Sequence, residues 1–364
     1  MRTKSVLAAL AALAASVAPT PAAEPRAADF AVEKVADGVW AFIPGDSKSL
    51  VSGNTILIAG EDAALVVDTG HFPSVSRKIA AEIRKLTPKP VRFVVNTHWH
   101  YDHVIGNAVF AGEFPGLSIV DQAFTAEMIQ KKVPGYSALG IGYLTSDIEK
   151  IHHALETGKR SNGAAVTDAD RETFARRARD EEAVIPEFRA MALRGADVTF
   201  EDSVEIRLGR RVVDVKHLGR GNTAGDAIVF VPDAKVLITG DTVVAPVPYS
   251  FGSYPTEWVA VLKKMASMDA AAIVPGHGPV MHDARFLDRV AALLESTVAQ
   301  VKAAYHPGVS LDEVRKKVDL ERFRAEFAGD DRSRNGMFQE SIVTAGVKRA
   351  FQEVEGKFAP EGED

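Results

Sequence analysis

The chain has 364 residues, with 43 Lys and Arg against 49 Asp and Glu, and it contains no cysteine. This length suits one large α/β domain with extensions, and mild acidity without basic runs argues against nucleic acid as a partner. The lack of cysteine excludes disulfides, thiolate metal ligands and a lipid-anchoring cysteine. Any metal must therefore be held by His, Asp, Glu, Asn or water.

Residues 1–23 are predicted to form a secretory signal peptide. Arg2 and Lys4 give a positive start, and an Ala/Leu-rich apolar run follows from Ser5 to Val17. The run is short for a membrane span and no second run occurs, so no membrane anchor is expected. We therefore expect a periplasmic or secreted protein.

Residues 30–282 alternate between short apolar strands and amphipathic helices. Four strands are predicted between Phe30 and Val67, followed by a helix over 74–86 and a buried strand over 91–95. A second series of strands begins near Val204 and ends at Val274. The polar motifs come directly after strands, where loops can converge at one edge of a sheet.

The loop after the strand at 91–95 reads His98-Trp99-His100-Tyr101-Asp102-His103. Neutral imidazole and carboxylate are ligands that zinc accepts. His98 and His100 can face one way while Asp102 faces another and His103 breaks the alternation. One short loop can thus serve two adjacent metal positions.

This H-x-H-x-D-H loop resembles the signature of the metallo-β-lactamase superfamily. Further landmarks of that superfamily occur in order, namely Asp68-Thr69-Gly70 before the loop and then Gly221–Asp226, Thr239-Gly240-Asp241 and Pro275-Gly276-His277-Gly278. The resemblance implies an α/β fold, a four-layer αββα sandwich, acting on a small-molecule substrate. It also implies one or two zinc ions, with iron or manganese not excluded.

The resemblance also implies a role for each motif residue. The implied ligands are those of two metals, His98 and His100 for the first, Asp102, His103 and His277 for the second, with Asp241 between them. Asp102 would also be catalytic, orienting the attacking water and accepting its proton. Asp68 would lie behind the loop and orient it by hydrogen bonds.

One landmark is altered, because the third ligand of the first metal should be a histidine and this chain has Asn222. An amide oxygen is a weaker zinc ligand than imidazole. Three outcomes are open. Asn222 binds metal weakly, or it contacts the bridging water or the substrate, or His217 replaces it.

Two further residues are candidates for contact with the substrate. Arg220, beside the altered turn, is placed to meet a substrate carboxylate, although a surface arginine is the plainer interpretation. Tyr249 lies in the apolar, proline-stiffened stretch 244–251 that follows Asp241, and this stretch is expected to form one wall of the pocket.

The rest of the chain is predicted to be mainly helical. A helical insertion is expected over about 133–196, with a flexible Gly/Tyr-rich start that either covers the site as a lid or only packs on the domain. His152 and His153, inside it, are expected to be surface residues. A C-terminal helical extension is expected over 283–356, with a break at Asn335-Gly336, and a disordered tail over 357–364.

These features favour an exported zinc hydrolase that cleaves a cyclic amide or ester with a metal-bound hydroxide, as in β-lactamases. A lactonase or a glyoxalase II-like thioesterase of the same fold remains open, as does an iron-dependent oxygenase. The alternative of another class is a non-catalytic protein that binds metal or ligand through an altered site.

Overall fold

The computed structural model describes residues 30–45, 52–160, 163–359 and 361. The predicted signal peptide lies outside these residues. The strands are β1 (Phe30–Ala36), β2 (Val39–Pro44), β3 (Thr55–Ala59), β4 (Ala64–Val67), β5 (Val91–Asn96), β6 (Ser118–Gln122), β7 (Val198–Phe200), β8 (Ser203–Leu208), β9 (Arg211–Lys216), β10 (Ile228–Val231), β11 (Val236–Ile238) and β12 (Ala272–Val274).

The helices complete the list of elements. They are α1 (Pro73–Leu86), α2 (Tyr101–Val104), α3 (Asn107–Glu113), α4 (Ala123–Thr157), α5 (Asp168–Arg189), α6 (Pro255–Ala266), α7 (Arg285–Ala304), α8 (Leu311–Arg315), α9 (Glu321–Phe327), α10 (Arg332–Phe338) and α11 (Val347–Glu355). A 3₁₀ turn covers Gly240–Thr242, and a π-helical stretch, Gln339–Gly346, joins α10 to α11.

The strands form two sheets. The first has the order β1-β2-β3-β4-β5-β6-β7, and the second has the order β12-β11-β10-β9-β8. Strands β4 to β7 are parallel to one another, as are β11 and β12. Because neighbouring parallel strands end at the same edge, the loops after β4, β5, β11 and β12 can carry side chains into one site.

The core has one apolar layer between the sheets and one on each outer face. Strand residues of both sheets, such as Val67, Val95, Val229 and Ile238, share the central layer. A second layer packs under α1 and α3, and a third joins α6, α7 and the C-terminal helices to the second sheet. The predicted αββα sandwich is confirmed.

The start of the insertion differs from the expectation of a flexible segment. Helix α4 continues through Pro134 to Thr157 and packs against α5. Proline removes one helical hydrogen bond, but this stretch also gains packing, since Tyr136 stacks on Tyr101 at 3.6 Å. Gly140 fits closely, because a Cβ there would lie 2.8 Å from the Phe188 ring. Packing therefore outweighs the helix-breaking residues.

The C-terminal region differs from the expectation in two places. Asn335-Gly336 lies inside α10 rather than separating two helices. Lys357–Ala359 and Glu361 belong to the predicted disordered tail, yet the Glu361 side chain is buried. The predicted capping box of Ser310 and Glu313 is present at the start of α8.

Within the described part of the chain, no helix is both long and apolar enough to cross a membrane.

Candidate metal centre

The site lies where β5, β11 and β12 end. His98 to His103 follow β5 and run into α2, Asp241 lies in the 3₁₀ turn after β11, and His277 comes three residues after β12. The site therefore draws His98 and His103 from the first sheet and Asp241 and His277 from the second. This is the convergence at a sheet edge that the sequence predicted.

Two groups of three side chains lie close enough to hold metal ions. His98, His100 and Asp241 form the first group, and Asp102, His103 and His277 form the second. The ligand atoms within each group are all within 4.8 Å of one another. Asp241 touches both groups, since its carboxylate is 3.6 Å from His98 Nε2 and 3.2 Å from His103 Nε2.

The second group is compact around the nitrogen of His277. His277 Nε2 lies 3.0 Å from the carboxylate of Asp102 and 3.2 Å from His103 Nε2. Asp102 is also 3.5 Å from His103 Nε2. These three donors therefore face a common point.

Asp68 fixes the metal loop from behind. Its carboxylate accepts hydrogen bonds from the backbone N–H and the hydroxyl of Thr97, each at 2.8 Å, and it lies 2.8 Å from His103 Nδ1. With its proton on Nδ1, His103 presents the lone pair of Nε2 to the site. The backbone of Asp68 has φ +56°, in the left-handed region that aspartate tolerates better than most residues.

Close backbone approach brings the two sheets together at the site. A Cβ on Gly276 would lie 2.0 Å from Asp241 Oδ1, and a Cβ on Gly240 would lie 2.4 Å from Thr97 Oγ1. Neither contact is possible for a larger residue without movement of the loops. These glycines allow His277, Asp241 and the metal loop to share one small space.

The donor set fits a cation. His98 Nε2 and Asp241 Oδ1 are buried and have no hydrogen-bond partner among the described residues. Burial and the neighbouring His98 lower the pKa of His100 to about 3, which keeps that imidazole neutral and able to donate its lone pair. Neutral imidazole and ionised carboxylate are the forms in which these residues bind metal.

The charges around His103 indicate the same need for positive charge. Burial by itself lowers the pKa of His103, but the carboxylates of Asp241, Asp102 and Asp68 outweigh burial and raise that pKa well above its usual value. Three carboxylates close to one buried imidazole leave an excess of negative charge. A divalent cation would balance it, so the fold and these groups imply a metal cofactor.

The family model described as "Metallo-beta-lactamase superfamily" matches residues 49–277, which is more than half of the chain. The chain belongs to the metallo-β-lactamase superfamily.

The chain is also similar to a curated protein and, in its fold, to solved structures. The chain is 25% identical over 303 residues to a linear primary-alkylsulfatase from a Pseudomonas species, covering 79% of this chain and 53% of that protein. It therefore spans about half the length of this curated relative. A metallo-β-lactamase from Pontibacter korlensis superposes with a TM-score of 0.52 at 19% identity, covering 73% of this chain and 99% of the other. A structure of TMB-1 gives a TM-score of 0.50 at 18% identity, covering 73% and 97%.

The altered position of the family pattern is buried. Asn222 is fully buried, and neither its amide nitrogen nor its amide oxygen has a hydrogen-bond partner among the described residues. An unpaired buried amide costs about 1–3 kcal/mol, so such a group normally faces a ligand, an ion or water. His217 does not take its place, because His217 Nδ1 lies 2.7 Å from the carbonyl of Asp226 and His217 belongs to neither metal group.

The two predicted substrate contacts differ in their surroundings. The Arg220 guanidinium pairs with Glu257 and stacks on Tyr254 at 4.1 Å, so its charge is already matched. This pairing weakens the expectation that Arg220 meets a substrate carboxylate. The Tyr249 ring lies edge-on to His100, with 5.8 Å between ring centres, and remains partly exposed. Tyr249, in the stretch 244–251, is thus next to His100 of the first metal group, and the pocket wall that this stretch is expected to form stays a prediction.

Two features near the site were not found from the sequence. Tyr136 on α4 stacks on Tyr101 and lies 2.9 Å from His71 Nε2, which brings the insertion to the edge of the site. Glu361 contacts Trp99, which lies between His98 and His100. No local pattern reveals either contact, because both join residues far apart in the chain.

The prediction that His152 and His153 are surface residues is confirmed. Both are exposed, and His152 lies 3.7 Å from Glu182.

Proposed function

We propose that this hydrolase of the metallo-β-lactamase superfamily uses one or two zinc ions to open a cyclic amide or ester in a small molecule. The observation that carries the proposal is the pair of three-residue groups that share Asp241 at one sheet edge. Both groups contain only histidine and aspartate, which suits catalytic zinc, although iron and manganese accept similar ligands. When bound, zinc acts as a Lewis acid and lowers the pKa of a coordinated water.

The protein's own residues would position the reactants and move the proton. Asp102 is partly accessible and its carboxylate is ionised, because the charge and hydrogen bond of His103 and His277 outweigh burial and hold its pKa far below the usual range. An ionised carboxylate beside the ligand atoms would accept a hydrogen bond from the attacking water and so orient it. Because its low pKa makes it a weak base, it would pass a proton on to solvent rather than keep it. Tyr249 and the 244–251 stretch would hold the apolar part of the substrate.

A second candidate substrate is a linear alkyl sulfate ester. The similarity to a linear primary-alkylsulfatase supports it, but the identity is 25% and the shared length covers about half of that protein. Exposed apolar side chains of Leu139 and Tyr143 on α4, together with Tyr249, provide apolar surface that an alkyl chain would bury.

A substrate panel separates these candidates. The purified chain is assayed with nitrocefin, a γ-lactone, a thioester and dodecyl sulfate, before and after removal of metal and again after zinc is restored. We expect metal-dependent turnover of at least one substrate, with nitrocefin or the lactone favouring a cyclic substrate and dodecyl sulfate favouring the second candidate. Metal binding without turnover of any ester or amide would refute hydrolysis and favour a binding protein.

Export is the remaining part of the proposal. We propose that residues 1–23 direct the protein to the periplasm or outside the cell, because their charge and apolar pattern is typical of a signal peptide. Fractionation of a bacterial host expressing the full chain, followed by mass spectrometry of the N-terminus, tests this. Recovery of uncleaved protein in the cytoplasmic fraction would contradict it.

A further inference from the structure

The C-terminal segment reaches the metal centre through Glu361. The Glu361 side chain is buried, and its carboxylate accepts a hydrogen bond from the Trp99 indole N–H at 2.9 Å and another from the backbone N–H of Ala224 at 2.5 Å. The Tyr254 hydroxyl is a third hydrogen-bonding partner. This carboxylate belongs to neither metal group and has no part in the mechanism described so far.

The two main partners of Glu361 lie on different halves of the site. Trp99 lies between His98 and His100 in the loop after β5, and its ring packs edge-on against His100 with 4.7 Å between centres. Ala224 lies two residues after Asn222, in the turn before β10. The Glu361 carboxylate therefore joins the loop that carries four candidate ligands, His98 and His100 among them, to the turn that contains Asn222.

Other contacts hold the segment that bears Glu361 in place. Arg349 on α11 is fully buried and donates hydrogen bonds to the carbonyls of Gly252, Ser253 and Ala359. Its guanidinium also lies 4.7 Å from the centre of the Phe358 ring. The C-terminal extension thus reaches the loop around residue 252, where a Cβ on Gly252 would lie 3.4 Å from the carbonyl oxygen of Asn222 and 3.8 Å from the Glu361 side chain.

We propose that Glu361 is a positioning residue, which ties Trp99 to the Ala224 turn and thereby sets the geometry of His98, His100 and Asn222 around the first metal. The buried carboxylate accepts hydrogen bonds from two N–H groups. Each such charge-assisted hydrogen bond is stronger than one between neutral groups. Partners that orient metal ligands typically contribute tenfold to a hundredfold in metal affinity. Glu361 acts one step further from the metal, so a smaller effect is expected.

The inference rests on the proposed metal site, and its test is metal binding without any substrate. Zinc affinity of the metal-free full chain is measured by titration for Glu361→Ala, Glu361→Gln and Trp99→Phe, with the exposed Glu340→Gln as the matched control. We expect Glu361→Ala to weaken the weaker zinc site about three- to tenfold. The zinc affinity of Glu361→Gln should lie between that of Glu361→Ala and that of the wild type, because the amide oxygen of glutamine still accepts one N–H hydrogen bond. The control should bind as the wild type does.

A double-mutant cycle separates positioning from general structural damage. Because Trp99→Phe removes the indole N–H, adding Glu361→Gln to it should cost less affinity than Glu361→Gln costs in the wild type. Glu361→Ala should shift the tryptophan emission of the metal-free protein. The same substitution added to Trp99→Phe should leave the emission of that variant unchanged. Zinc affinity and emission equal to the wild type in Glu361→Ala would overturn the inference, as would full additivity in the cycle. A wild type that binds zinc but hydrolyses nothing would end only the proposed function.

Discussion

At the scale of single residues, the two candidate metal groups are unequal. Asp102, His103 and His277 form a complete set of strong ligands. Beside His98 and His100, the resemblance to the family implies a third imidazole at position 222, where this chain has the weaker amide of Asn222. We therefore expect His277→Ala to lose more metal than Asn222→Ala. Elemental analysis after dialysis measures this, and equal loss from the two variants would contradict the assignment.

Asp102 is expected to matter more for turnover than for metal retention. An amide in Asp102→Asn keeps the size of the side chain and one coordinating oxygen, but it cannot accept a proton as the carboxylate does. We expect this variant to keep a substantial share of its metal while kcat falls about a hundredfold or more. Near-normal kcat would give Asp102 a purely structural role.

The buried, unpaired amide of Asn222 makes its replacement by histidine informative. If Asn222 only stands where a ligand was lost, Asn222→His should bring the stoichiometry towards two zinc ions and improve the weaker affinity about tenfold, or about 1.4 kcal/mol. If its amide contacts water or substrate, the same change should raise metal content and lower turnover. Titration of zinc with both occupancy and hydrolysis followed separates these outcomes. No change in either would mean that residue 222 does not face the metals.

At the scale of elements, the strands were predictable and parts of the helical regions were not. Apolar runs and alternation identified β1 to β6 and β8 to β12, because most of these strands bury one or both faces in the sandwich. The stretch of α4 from about residue 133 is expected to be flexible from its sequence, because Pro134 and the following glycines are helix breakers. Contacts with Tyr101 and Phe188 outweigh that effect in the folded chain. Those contacts cannot be read from local sequence.

The stretch 244–251 is the element expected to shape the pocket. Tyr249 packs against His100 and Phe251 and keeps part of its ring exposed, so it can cover an apolar group of the substrate. We expect Tyr249→Ala to raise KM about tenfold with unchanged metal content, since an aromatic contact of this kind contributes on the order of 1 kcal/mol. Met337→Ala, another exposed apolar residue, serves as the control. A lower kcat with an unchanged KM would instead place Tyr249 in the chemical step.

At the scale of the whole molecule, the motif residues could be found from the sequence and their closure by the C-terminus could not. The resemblance of the ordered motifs to those of the superfamily identified His98, His103, Asp241 and His277, and each motif is recognisable because its residues lie next to one another in the sequence. Glu361 and Trp99 are 262 positions apart, and a single glutamate in a polar, Gly/Pro-containing tail has no pattern of its own. Only the folded chain shows that the C-terminal helices lead back to the site.

The metal centre also links the two sheets, so metal removal should destabilise the whole molecule. A ligand present at a hundred times its Kd adds about 2.7 kcal/mol to the free energy of unfolding. In a domain of this size, whose entropy of unfolding is about 0.7 kcal/mol/K, that corresponds to a fall in Tm of about 4 °C on chelation. Thermal unfolding of the metal-free and zinc-loaded chain measures the difference, with the chelator saturated by magnesium as the control.

The same difference should grow as the pH rises. In the metal-free chain, the folded-state pKa of His103 is raised above its unfolded value of 6.5, because the charges of Asp241, Asp102 and Asp68 outweigh burial. A basic group with a raised folded-state pKa stabilises the fold. This stabilisation is complete below the unfolded-state pKa and is lost as the pH rises through the folded-state pKa. The metal-free chain should thus lose stability above about pH 6.5. The zinc-loaded chain should not, because metal replaces the proton and binds more tightly as ligands deprotonate. A gap in Tm that stays constant or narrows from pH 6 to pH 9 would show that the metal does not substitute for the proton on His103.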